Sequence, residues 1–219
     1  MKMILLCLSL LVVCGCAGEK NGEHAAGTVD VSLHEIRYRD DARVVHSALV
    51  EAVTPVAIPA ESLRALMLPF AVRQDIAVRR DIGREMGDIF RLTWLEKRVF
   101  QILQYDGADV WPGLEDALAR ARKQNANILV TGNLSQFYQA AAVGRTNISL
   151  TVEIYWVPDG TLLWSAAQAG AMEGAPDTDY ALVRTVRRLP DNPTYAVMRS
   201  LAESMATGFR HHLAEDGLE

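Results

Sequence analysis

Hydrophobic and polar positions alternate most regularly between residues 148 and 156. Ile148, Leu150, Val152, Ile154 and Trp156 interleave with Ser149, Thr151, Glu153 and Tyr155. A strict period of two sets one row against a core and the other toward water, as in an antiparallel sheet. VPDG (Val157 to Gly160) comes next, with Pro second and Gly fourth, a turn signal. TLLWSAAQAGAM then predicts a returning strand, and NILVTGNLSQFY (Asn127 to Tyr138) predicts a preceding one. The three make an antiparallel meander. Upstream, RALMLPFAV (Arg64 to Val72) predicts a buried strand ending near Pro69, and RVFQILQY (Arg98 to Tyr105) predicts a second strand. Helical spacing separates these runs. Ile82, Met86, Ile89, Phe90 and Trp94 fall on one face of a helix over Asp81 to Lys97. Leu114, Ala117, Leu118 and Ala121 do the same in WPGLEDALARARKQN, which opens on a Pro. Tyr195, Met198, Ala202, Met205 and Phe209 predict a C-terminal amphipathic helix.

The order β-α-β-α-β-β-β-α over residues 63–219 predicts a single α/β (α+β) domain. Its expected form is a two-layer sandwich, a mixed sheet of about five strands with helices mainly on one face. Residues 30–62 form an N-terminal extension of no clear period. DARVVHSALVEAV reads as either helix or strand, and Pro55 and Pro59 interrupt the residues after it.

The N-terminus has a different character. Lys2 precedes an apolar run from Met3 to Val13, a length that suits a signal peptide and is too short to span a bilayer. The run ends in V-C-G-C. The chain's three cysteines are Cys7, Cys14 and Cys16, and none occurs in the rest of its 219 residues. The domain therefore has no disulfide framework, cysteine zinc site or cysteine nucleophile. V-C-G-C resembles the bacterial lipobox, with Val13 at −3, Gly15 at −1 and Cys16 as the acylated residue. The resemblance implies a signal peptide over residues 1–15 and lipidation of Cys16, with several acyl chains giving lasting attachment. Ala17 at +2 implies outer-membrane sorting, facing the periplasm, by the rule of enteric Gram-negative bacteria. Residues 16–29 are small and polar and read as a flexible tether.

In order and spacing the domain resembles envelope lipoproteins of the anticodon-binding-like fold. That group includes CsgG-like secretion lipoproteins, LpoB-like activators of penicillin-binding proteins and the N-terminal domain of TolB. The match runs from Leu66 to about Phe209. It rests on LMLPF, the helix after it, VFQIL, NANILVTGNLSQF, and ISLTVEIYWV with PDGTLLWSA behind it. Gly132, Gly160 and Trp164 align first. Structurally, the two glycines read as bulge or turn requirements and Trp164 as a packing residue. The resemblance implies a non-catalytic binding, assembly or regulatory module of an envelope machine for cell-wall synthesis, secretion or transport. The alternative is an oligomeric, ring-forming component of an outer-membrane export system. Partners would be a membrane, an envelope protein and further copies of the chain.

Chemistry is sparse. A net charge of −5 argues against a nucleic-acid partner. Phosphate-loop, dinucleotide, nucleophile-elbow and zincin motifs are absent from the sequence. His211 and His212 are adjacent on a helix and point to different faces, so chelation by both is disfavoured. No catalytic residue, metal or cofactor is expected. Arg73, Arg79, Arg80, Arg84, Arg91, Lys97 and Arg98 interleave with five acidic residues around one helix and read as an ion-paired solvated face. Arg184, Arg187 and Arg188, placed in a loop or short helix before Pro190, are the candidate partner-facing residues, toward either a protein partner or anionic lipid headgroups.

Overall fold

The computed structural model describes residues 35–39, 43–52, 62–107, 110–139, 145–173, 178–180, 183–187 and 192–216. These divide into two compact units. The smaller contains three strands: β1 (Glu35–Arg39), β10 (Thr178–Tyr180) and β11 (Val183–Arg187). There β11 is central, parallel to β1 and antiparallel to β10.

The larger unit carries β2 (Val44–His46), β3 (Val50–Glu51), β4 (Arg64–Met67), β5 (Ala71–Val72), β6 (Ile102–Tyr105), β7 (Ile128–Gln139), β8 (Arg145–Trp156) and β9 (Leu162–Glu173). Its helices are α1 (Arg79–Glu96), α2 (Leu114–Lys123) and α3 (Pro193–Asp216). The sheet runs β2-β9-β8-β7-β4-β6, with β3 beside β9 and β5 beside β7. The expected mixed α/β sandwich is the observed architecture. The meander is antiparallel throughout, and β4 is parallel to both β6 and β7. Residues 44–46 and 50–51, in the stretch that reads as helix or strand, are strands pairing antiparallel with β9.

Each element follows from its residues. Gly160 closes the β8–β9 turn at φ 78°, a left-handed conformation that glycine adopts without steric cost. Acidic Glu115 and Asp116 open α2, and Arg120, Arg122 and Lys123 end it, matching the helix dipole. Asn192 Oδ1 accepts the N–H of Tyr195 (2.9 Å) and so caps α3 ahead of Pro193. Tyr195 itself is exposed, so the buried stripe of α3 starts at Val197.

One face of the sheet carries the main core. Ala65, Met67, Ile128, Val130, Leu150, Val152 and Ile154 meet α1 and α3 there. Trp94 and Phe209 stack at 6.3 Å, and Trp164 lies 5.3 Å from Phe209, so Trp164 is the packing residue expected. Trp94 Nε1 also donates to Ala202 O (3.0 Å), tying α1 to α3.

The other face bears α2. Ala117, Leu118 and Ala121 pack on Leu66, Leu68 and Leu129. Helices thus lie mainly, but not wholly, on one face. The reason is topological. The chain passes from β4 to its neighbour β6, then returns past β4 to β7. Right-handed crossovers in opposite directions along a sheet place their helices on opposite faces.

Candidate functional site

Cys16 and Arg188 lie outside the described residues. Arg184 and Arg187 are in β11, a strand and not the loop or short helix expected, because residues 183–187 pair in full register with β1. Arg184 stands opposite Ile36 of β1 and Asp179 of β10, and Arg187 opposite Arg39. Three of the seven basic residues around this helix pair with the interleaved acids as expected, Arg79 with Asp75 (3.7 Å), Arg84 with Asp81 (3.8 Å) and Arg91 with Asp88 (2.7 Å), while Lys97 pairs with Glu203 (3.4 Å) and Arg73 donates to Asn133. His212 is buried against Phe209 and His211 is exposed, so the two do face apart. Among the described residues, no group of three His, Cys, Asp or Glu side chains could hold a metal. His46 Nε2 and Ser200 Oγ are 2.8 Å apart, but among the described residues no carboxylate is hydrogen-bonded to His46; the pair links β2 to α3.

The topology makes a site that single residues do not announce. In an open α/β sheet, ligands collect outside the carboxyl ends of strands where successive crossovers leave on opposite faces. Here that point lies between β4, which leads into α1, and β7, which follows α2. A crevice of about 220 Å³ lies past the carboxyl end of β4, lined by Pro69, Phe70, Arg79, Arg80, Val110 and Trp111. Ala71 and Trp111 also border an adjoining cleft of about 400 Å³, whose polar wall is Arg73, Thr131, Asn133 and Glu153.

Its walls are held by specific contacts. Phe70 N–H donates to Gly83 O (2.9 Å), and a Cβ at Gly83 would overlap Phe70 O; only glycine lets α1 lie this close to the segment after β4. Arg73 Nε donates to Asn133 Oδ1 (2.9 Å), and Gln74 Oε1 accepts the N–H of Phe137 (2.7 Å). Tyr155 donates its hydroxyl to Glu153 Oε2 (2.9 Å). Burial, then the hydrogen bond to Glu153 and its charge, push the Tyr155 phenol well above its ordinary range. At the end of β6, Asp106 accepts from Arg120 (3.3 Å) and Gln124 (3.4 Å), securing α2. The sequence pattern sets Arg73, Arg79 and Arg80 on a solvated face and does not single out Trp111 or Thr131. Their meeting depends on the strand order, which no local pattern encodes.

No protein-family model matches the chain. No curated protein sequence matches it either. Solved structures are similar to it. The PelC dodecamer from Paraburkholderia phytofirmans superimposes with a TM-score of 0.50 at 18% identity, over 77% of this chain and 97% of that one. Protein XCC0632 from Xanthomonas campestris gives 0.48 at 8% identity, over 84% and 99%. Lipoprotein GNA1162 from Neisseria meningitidis gives 0.30 at 11% identity, over 48% and 78%. At 18% identity the likeness to the PelC structure is one of fold alone.

Proposed function

We propose that the chain is a non-catalytic lipoprotein of the bacterial cell envelope. Acyl chains on Cys16 hold it at a membrane, and Ala17 directs it to the periplasmic side of the outer membrane. It acts by docking onto a protein of an envelope machine, with Arg184, Arg187 and Arg188 facing that partner. The observation that carries this reading is V-C-G-C at the end of a short apolar leader, with no cysteine after it. Among the described residues no helix is long and apolar enough to cross a membrane.

Labelling cells with radioactive palmitate tests the anchor. The full chain takes up label and sediments with membranes, and Cys16→Ser abolishes both. Label retained by Cys16→Ser sinks the proposal. Crosslinking in intact cells with mass spectrometry identifies the partner. A specific crosslinked protein lost in an Arg184→Glu, Arg187→Glu variant supports the docking face. Turnover of peptidoglycan by the purified chain contradicts the non-catalytic reading.

One observation favours a second reading. The similar PelC structure is a dodecamer, and the match covers 97% of its chain. Under this reading copies of the present chain form a membrane-tethered ring of an export system. Light scattering on the detergent-solubilised chain separates the two: a stable ring of many protomers selects the second, a monomer the first.

A further inference from the structure

We propose that the open face of the large sheet, between β2 and β7, is where two copies of this chain pair about a two-fold axis. The pairing is separate from the membrane anchor and the envelope partner. It is also separate from a ring, whose subunits meet head to tail.

The face is open and partly apolar. α1 and α3 cover the opposite face, and α2 packs at one end of this one, on Leu129 and Val157. Among the described residues no helix covers the stretch from Arg145 to Glu153. Its floor is small: Ala167, Ala169 and Ala171 of β9 stand beside Thr151, Ser149 and Asn147 of β8. A trough of about 300 Å³ runs along it, with Val45 on one side and Gln136 on the other. Val45 pairs with Ala171, Val50 with Ala167 and Tyr138 with Asn147, so all three share this face. They are exposed at 68%, 63% and 55%. Exposed apolar side chains gathered on one face mark an interaction surface.

The face matches itself, and that selects a second copy as its occupant. Along β8 the open row reads Arg145, Asn147, Ser149, Thr151, Glu153, positive at one end and negative at the other. A two-fold axis crossing the strands at Ser149 sets Arg145 on Glu153 of the second copy and Asn147 on its Thr151. The same axis pairs the valines. Val45 stands level with Asn147 through Ala171, and Val50 level with Thr151 through Ala167. They lie equally far either side of Ser149, so Val45 meets Val50 of the second copy. Glu173, across from Arg145 on β9, falls on Ser165 of the second copy, so these rows bring no like charges together. Among the described residues Arg145 makes no ion pair, and Glu153 has one oxygen taken by Tyr155. A two-fold contact requires a patch complementary to itself, and charge placement of this kind fixes its register. Facing sheets pack about 10 Å apart and within about 30° of each other, a gap that Arg and Glu side chains bridge. Four strands about 4.8 Å apart, each contributing some nine residues at about 3.3 Å, make a face of roughly 14 by 26 Å. Two such faces bury on the order of 1,000 Å², the low end for a specific interface, so the pair forms at high concentration and parts on dilution.

Sedimentation equilibrium of the full chain in density-matched nonionic detergent tests this. The parent chain shows a reversible monomer–dimer equilibrium. Arg145→Glu and Glu153→Arg each set like charges together twice and weaken dimerisation by about tenfold or more. Mixed in equal amounts, the two variants pair with each other as tightly as the parent chain pairs with itself, because each offers the charge the other lacks. Ser149→Cys, at the axis, forms under mild oxidation a disulfide joining two copies of residue 149, read by mass spectrometry. A chain that is monomeric at every concentration leaves the face to another partner and overturns the proposal. So does a dimer or larger ring that neither charge variant weakens. Two charge variants with the parent's circular dichroism that fail to pair when mixed also overturn it, as does a Ser149→Cys chain that gives no such disulfide.

Discussion

The ring of Phe70 lies so close over Gly132 that a Cβ built on Gly132 would overlap the Phe70 ring carbons. Phe70 belongs to the segment between β4 and β5, and Gly132 to β7. The glycine is therefore required by a close approach. From sequence it reads as a bulge or turn, but the register shift of β7 comes later, between Leu134 and Gln136. Gly132→Ala is expected to lower stability by about 1–3 kcal/mol, the usual range for overpacking a filled core. Thermal unfolding reads this as a fall of roughly 2–4 °C per kcal/mol for a domain of this size. Phe70→Leu combined with Gly132→Ala should recover part of the loss, since residues in contact do not add independently. Strict additivity of the two substitutions would show that the ring is not what the methyl meets.

Trp94 is the second sensitive position. It is fully buried, stacks on Phe209 and donates to Ala202 O. Trp94→Ala should cost about 3–5 kcal/mol, the range for deleting a buried aromatic. Trp94→Phe should cost less, but it leaves Ala202 O without the indole donor. Urea unfolding monitored by circular dichroism distinguishes the two variants.

The edge strand β2 is held to the body partly by His46 and Ser200. Ser200→Ala should change global stability by no more than about 1 kcal/mol, because the hydrogen bond is exposed. It should instead speed amide exchange across residues 44–46, where opening is local. Hydrogen exchange unchanged there would remove the pair's role as a latch.

Alkaline pH should weaken the fold through Tyr105. Burial, and then the nearby Asp88 carboxylate, raise its phenol from 10.0 to about 12. The folded state thus holds the proton more tightly than the unfolded chain. The stabilisation is complete below pH 10 and is lost as pH rises toward 12. Tyr155 is shifted in the same direction. Tyr105→Phe should flatten the fall in stability over that window. It should also cost a little at neutral pH, where the hydroxyl donates to Arg84 O (2.9 Å). Chemical denaturation at pH 8, 10 and 12 reads both effects, and a slope identical to the parent chain would contradict the assignment.

Individual elements were legible in the sequence because they are written in local period. The alternation from Ile148 to Trp156 appears as β8 with Ile148, Leu150, Val152 and Ile154 buried on one face. The spacing of Ile82, Met86, Phe90 and Trp94 appears as the buried stripe of α1. VPDG and Gly160 mark the hairpin turn, and the lipobox pattern supplies the anchor proposal. RVFQILQY is a strand only from Ile102, since residues 97–101 turn the chain out of α1. Packing in three dimensions settled everything else. Short strands such as β2, β3 and β11 have too few residues to show a period, and pairing with distant partners defines them. The face on which α2 lies follows from the return from β6 past β4 to β7, a choice made by strand order. Phe70 over Gly132, and Trp111 beside Arg79, Arg80 and Thr131, are meetings of residues far apart in the chain. Such contacts depend on how the layers pack, and side-chain period carries no record of that.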